Sequence, residues 1–401
     1  MEDLIYWVWL TSKRYITPHK ITTLLEHLGN VRTIYESDSY PDIEGIGMKE
    51  KRELLNKSTD NAEKIIEKMN LLGGKIVTTD SPEYPESLRE IQPPPYVLYM
   101  KGQDIKWSEN LAIGVIGSRQ CTEYGKVAAR KLCYELAMTG VLIVSGMARG
   151  IDSLAAASAL RAGGKTVAVL GGGLDVVYPP ENEKLMQAIT ENGVVITEYP
   201  PSTRPYPQNF PQRNRIISGL SRGLLVVEAS RKSGTFITVD YARSYGRDIF
   251  AVPGGIFRDT SEGTNLMIKR GAFLTTSVRD IFERYPYEVS IIQRASGKPV
   301  YISTPDYPRK AKQKQSAPKQ PSRDYSDTQP PAGISIDDDR YKGLNEDEKS
   351  IISHLMKKNM HIDELSRETG IDIKNLNAIL PVLEMMGHIT KLPGNNYKLS
   401  I

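Results

Sequence analysis

Cysteine is almost absent from this 401-residue chain; Cys121 and Cys133 are the only two. That excludes a disulfide framework and a thiolate metal cluster. Histidine is also scarce. All five (His19, His27, His354, His361 and His388) lie outside residues 75–283, so a Ser-His-Asp, Cys-His or histidine–metal constellation would have to be assembled across domains. No apolar run approaches the roughly 18 residues of a membrane span. Met1-Glu2-Asp3-Leu4 has no basic region ahead of an apolar block, so no secretory signal is expected and a reduced cytoplasm is the natural setting. Excess charge is small, +4 from 52 basic and 48 acidic residues. It allows a nucleic-acid partner without demanding one. A hydrophobic content of 39% is enough to bury a core and excludes wholesale disorder.

Four stretches differ in character. Residues 1–74 carry short helical patterns, with Ile21, Leu24, Leu25 and Leu28 and then Ile65, Ile66 and Met69 at three- and four-residue spacing. Between them, Ile43-Glu44-Gly45-Ile46-Gly47-Met48-Lys49 reads either as a plain helix–helix turn or as a helix-hairpin-helix element offering N–H groups to a phosphate; the plain turn is the simpler reading. Residues 75–284 alternate apolar runs (Leu111–Ile116, Val141–Ser145, Thr166–Leu170, Val194–Thr197, Leu224–Glu228, Asp248–Val252) with helical patterns (Tyr124–Met138, Ile151–Arg161, Lys184–Thr190, Thr235–Tyr245). Runs apolar throughout are strands buried on both faces, and the alternation predicts an α/β domain, a doubly wound parallel sheet with its ligands at the carboxyl strand ends. Residues 285–342, rich in Pro, Ser, Gln, Lys and Asp, read as a disordered linker. Residues 343–401 give three helices and a hairpin, a winged helix. Its seven Lys/Arg against eight Asp/Glu between Leu344 and Ile401 are poor for phosphate contacts, so a protein contact is as good a reading as DNA.

Two nucleotide motifs fail. Gly163-Gly164-Lys165-Thr166 resembles a P-loop tail but precedes a strand and reads as a helix cap. The first strand–helix turn, Gly114-Val-Ile-Gly117-Ser118-Arg119, is not the dinucleotide fingerprint. It does offer Gly117 for close backbone approach, the Ser118 hydroxyl and the Arg119 fork for a phosphate. Glycines recur at Ser145-Gly146-Met147-Ala148-Arg149-Gly150 and at Gly171-Gly172-Gly173-Leu174-Asp175. Three such turns at one sheet edge suggest a polyanion against bare backbone, although tight turns alone also use glycine. The segment Tyr206–Arg222 is the most informative. From Thr203 to Arg231 there are five arginines (204, 213, 215, 222, 231) and one acid, Glu228, with Tyr206 and Phe210 interleaved. Rings with guanidinium groups suit a single strand, because bases stack and phosphates pair without any sequence being read. Residues 111–285 carry a net charge of +6, with fifteen arginines and six lysines. Some arginines are expected to pair with carboxylates such as Asp152 or Glu228, Arg215 before Arg213.

Several segments occur in order: Gly117-Ser118-Arg119; Ser145-Gly146-x-Ala148-x-Gly150-Ile151-Asp152; Gly171-Gly172-Gly173-Leu174-Asp175-x-x-Tyr178-Pro179; Phe210-Pro211-x-Arg213-Asn214-Arg215-Ile216-Ile217-Ser218-Gly219; Glu228-Ala229-x-x-x-Ser233-Gly234-Thr235; and Phe250-Ala251-Val252-Pro253-Gly254. Together they resemble the DNA-processing protein A (DprA/Smf) family over residues 75–283, with weaker likeness at the two ends. The resemblance implies an extended Rossmann domain between an N-terminal helical, SAM-like domain and a C-terminal winged helix. It implies a non-enzymatic, cytoplasmic homodimer, without cofactor, metal or catalytic residue, that protects incoming single-stranded DNA and loads RecA recombinase on it during natural transformation. The strand site it implies uses Gly117, Ser118, Arg119, Gly171, Gly172, Gly173, Asn209, Phe210, Arg213 and Asn214, with Tyr206 beside them, and the dimer surface lies around Phe273–Phe282. Two positions depart from the pattern. Pro180 stands where many members have a basic residue, and Ala156 where many have histidine. The same Rossmann variant resembles phosphoribohydrolases of the lysine-decarboxylase-like group, but their Pro-Gly-Gly-x-Gly-Thr loop is interrupted after Pro253-Gly254-Gly255. Nucleotide hydrolysis is therefore the second reading.

Overall fold

The computed structural model describes residues 3–296, 341, 344–392 and 394–400. The chain divides into two compact units, Met1–Pro305 and Asp306–Ile401.

Nine strands build the sheet of the first unit: β1 (Lys75–Thr78), β2 (Val97–Gly102), β3 (Ala112–Ile116), β4 (Leu142–Ser145), β5 (Thr166–Val169), β6 (Val194–Thr197), β7 (Gly223–Val226), β8 (Asp248–Ala251) and β9 (Phe273–Leu274). Their order is β1-β2-β6-β5-β4-β3-β7-β8-β9. The run from β6 to β9 is parallel, with Gly114 opposite Val144 on one side and Leu224 on the other. All of β3–β7 is buried, as apolar runs require when helices cover both faces. The strands expected from these runs are all present. Sequence reading missed β1 and β2, which extend one edge antiparallel, Tyr99 pairing with Ile76 and with Thr197.

The first helices share a core with the sheet. Trp7, Trp9, Leu24 and Met69 belong to one buried cluster with Tyr99, Ala168, Leu170 and Val195. Trp7 stacks on Tyr96 at 5.4 Å and its indole N–H donates to Asp80. In the Gly45–Gly47 turn, the Gly47 amide donates to Glu50 at the start of helix Met48–Leu55. That amide is thus already used within the helix–helix turn.

The expected linker begins too early at Tyr285. Helix Pro286–Ser296 continues the first unit, with Val289 and Ile292 buried in the core three residues apart. Most of residues 285–342 lies outside the described residues.

The second unit has helices Glu346–Leu355, Ile362–Thr369 and Ile373–Met385 and a sheet of Met360–His361, Asn396–Leu399 and Ile389–Leu392. Asn345 and Glu348 cap the first helix reciprocally, and Gly370 ends the second at φ 73°. Three helices and a β-wing close over Ile351, Leu355, Leu376 and Leu380, which makes this a winged helix.

Candidate nucleic-acid interface

The sheet order reverses at β3. From it the chain goes to β4 on one side, and β7 lies on the other. Loops at the carboxyl ends of β3 and β7 therefore diverge and leave a crevice, where open α/β sheets hold ligands. A cavity of about 510 Å³ opens there, lined by Gly117, Ser118, Arg119, Tyr178, Phe210 and Asn214 among others.

The loop after β3 is held from two sides. The Ser118 amide donates to Glu228 O at 2.8 Å, and the Ser118 carbonyl accepts from Ile151 N at 3.2 Å. Gly150 makes this possible. Its φ is +76°, and a Cβ there would collide with the Ser118 and Arg119 carbonyls. Arg119 projects into solvent with its guanidinium carbon 5.4 Å from the centre of the Phe210 ring. Among the described residues it has no acidic partner, so its charge is available to an incoming anion. Arg119 and Phe210 thus line the same cavity.

Phe210 opens a helix that sequence reading did not recognise, Asn209–Leu220. Pro211 sits in its first turn, where its missing N–H costs nothing. Tyr178 flanks the Phe210 ring at 5.4 Å. Asn209 is buried and does not line the cavity; its Nδ2 donates to Gly171 O at 2.9 Å, which anchors the helix start. Tyr206 is half exposed between Pro205 and Pro207, which line the cavity.

Arg213 lines the floor but is 3% exposed. Its Nη1 donates to the carbonyls of Gly146 (2.6 Å) and Val169, joining the ends of β4 and β5, and its Nε donates to Asn214 Oδ1. Burial pushes the guanidinium pKa down, opposed by the charge of Asp152. Burial likewise pushes the Asp152 carboxyl up, opposed by Arg213. Arg215 is ion-paired to Glu198. Among the described residues Glu228 has no arginine partner, contrary to expectation; its two oxygens accept the amide and hydroxyl of Thr122.

The Gly171–Gly173 turn is buried, and the expectation of a polyanion on its bare backbone is corrected. A Cβ on Gly171 would stand 3.1 Å from the Phe210 ring, and one on Gly172 would stand 2.9 Å from Thr203 O. The glycines make room for Phe210 and for the 200–205 segment. Ser233, Gly234 and Thr235, used only for the resemblance and not assigned to the site, complete the lining with Thr238 at the start of helix Thr235–Ser244. Ser-Gly-Thr directly before a helix was the available signal. Pro253 and Gly254 line a different depression, and the Gly254 amide and carbonyl are both bonded to Asn265. Pro180 begins a short 3-10 turn, and Ala156 is buried.

Among the described residues, no group of three His, Cys, Asp or Glu could hold a metal ion, and no helix is long and apolar enough to cross a membrane. The sequence model of DNA recombination-mediator protein A matches residues 75–286, and that of the DprA winged helix domain matches 337–395. The chain is 30% identical to protein Smf of Synechocystis sp. over 99% of both chains. It is 41% identical to DNA processing protein DprA of Bacillus subtilis over 53% of this chain and 72% of that one. The X-ray structure of DNA processing protein A from Streptococcus pneumoniae superposes with a TM-score of 0.61 at 34% identity, covering 70% of this chain and 96% of that one. The chain belongs to the DNA recombination-mediator protein A family.

Proposed function

We propose that the chain binds single-stranded DNA through the crevice beside β3 and carries it, bonds intact, to RecA recombinase during natural transformation, acting as a cytoplasmic homodimer. The observation that carries this reading is the pairing of an exposed guanidinium that makes no ion pair among the described residues, Arg119, with an aromatic face, Phe210, in one cavity. Such a pair grips a phosphate and an unstacked base together, which a duplex cannot offer. Ser118 and Asn214 add polar groups to the same lining.

Dimerisation is read at the β9 edge, where Leu274 is 53% exposed. The winged helix, with its near-neutral charge, is read as a protein contact.

The test is a salt-dependent mobility-shift comparison of single-stranded and duplex oligonucleotides, with nucleoside monophosphates run alongside. Preference for the single strand with a steep salt slope is expected. Release of free base from the monophosphates would move the protein to the hydrolase reading. RecA loading is checked separately, by whether the protein accelerates RecA-dependent ATP hydrolysis on the strand.

A further inference from the structure

Pro205 and Pro207 line the cavity, yet the segment that carries them, Pro200–Pro207, contains neither strand nor helix. It needs an external support. Asp175, two residues beyond the glycine turn, supplies it. Its Oδ1 accepts the Ser202 amide at 2.7 Å and its Oδ2 faces the Ser202 hydroxyl at 3.4 Å. Ser202 sits at φ +70°, in the left-handed region that a serine adopts at a cost. On the next residue, the Thr203 carbonyl accepts the Gly173 amide at 2.9 Å. The Arg204 carbonyl faces Asn209 Nδ2, which also holds Gly171. Asp175 itself is held by Lys68, whose ammonium lies 2.6 Å from Oδ2 and also bonds the Ser202 hydroxyl. Lys68 belongs to helix Asp60–Leu71, outside the residues that the family model matches and outside the cavity lining.

We propose that Lys68 is a positioning residue for the strand site: through Asp175 it clasps the 200–203 segment and so sets the cavity wall from the N-terminal helices. The claim rests on the single-strand reading for its binding arm but not for its structural arm. The Asp175 carboxyl is only 17% exposed. Burial acts against its charge, while the bonds from Lys68 and the Ser202 amide outweigh burial and hold its pKa below the ordinary carboxylate range. Without the lysine, a half-buried carboxylate faces a strained serine with one charge partner fewer.

The experiment uses the full-length protein as wild type, Lys68→Met and Lys68→Arg. Two quantities are read: affinity for a labelled oligothymidylate, and deuterium uptake of the peptide spanning 199–206. K68M is expected to weaken binding about threefold, as suits a partly exposed ion pair, to speed exchange at Ser202 and Thr203, and to leave the unfolding midpoint near that of wild type. K68R is expected to restore both. Wild-type exchange and affinity in K68M would overturn the clasp, as would equal losses in K68M and K68R. If wild type binds no single strand while K68M still loosens 199–206, the function reading fails and the clasp stands.

Discussion

Replacing Phe210 with alanine separates the two forces assigned to the crevice. The ring lies between Tyr178 at 5.4 Å and the Arg119 guanidinium at 5.4 Å, over the Gly171 backbone. One stacked base contributes about 1–3 kcal/mol by alanine substitution, so Phe210→Ala should weaken single-strand binding by about 5- to 150-fold. Stacking releases no counterion. The slope of log affinity against log salt should therefore stay at its wild-type value. Arg119→Ala should behave in the opposite way and shallow the slope by about 0.7, the value for one lost phosphate contact on a single strand. Phe210→Leu keeps apolar volume without a π-face and should resemble alanine in affinity while keeping the fold intact. Fluorescence anisotropy of a labelled oligothymidylate across a salt series reads all three. An unchanged affinity in F210A, or an R119A slope equal to wild type, would refute the division of labour.

Asp152 gives a pH signature. Burial raises its pKa from 3.8 to about 6, so between those values the folded state holds a proton that the unfolded chain has released. Stability therefore falls as pH rises through that window. Asp152→Asn should flatten the dependence, seen as urea midpoints that no longer shift between pH 4.5 and 6.5. Arg213→Ala leaves the Gly146 and Val169 carbonyls without their donor and Asp152 without its neighbouring cation. A broken buried charge network of this kind costs about 3–5 kcal/mol, so R213A should lose stability first and binding as a consequence, measured by urea unfolding before any binding assay.

The parallel strands were readable because each is a short run apolar on both faces, as at Ile113–Ile116 and Leu224–Val226. The antiparallel strands β1 and β2 were missed for different reasons. Lys75–Thr78 is only half buried at the sheet edge, whereas Val97–Met100 is apolar and buried throughout and carried the same signal as the parallel strands. Helix Asn209–Leu220 was hidden for another reason. Its buried face includes Asn209, Arg213, Arg215 and Ser218, polar groups that only tertiary partners make buriable. Hydropathy treats them as surface. The same blindness made Arg213 look like an open phosphate contact; it is buried, although it lines the same cavity as Arg119. What a polar side chain does depends on carbonyls and carboxylates brought from other loops, and those have no local signature.

Glycine is where sequence and structure part most instructively, and Gly150 decides between the two meanings. If the glycine turns bare the backbone for an anion, Gly150→Ala should reduce strand affinity and spare the fold. The geometry argues otherwise. At φ +76° and ψ −126°, outside the left-handed helical region, an alanine is strained by about 1–3 kcal/mol, and its Cβ would also meet the main-chain carbonyls of Ser118 and Arg119, which have no flexible end to swing away. The Ile151 amide bond to Ser118 O would be pushed apart with them. G150A should therefore lower the unfolding midpoint and, in the fraction still folded, reproduce the shallower salt slope of R119A, because the guanidinium is displaced with its backbone. A variant with normal stability and normal slope but weaker binding would show that the anion touches Gly150 itself, and the interlocked-loop account of the Arg119 position would be wrong.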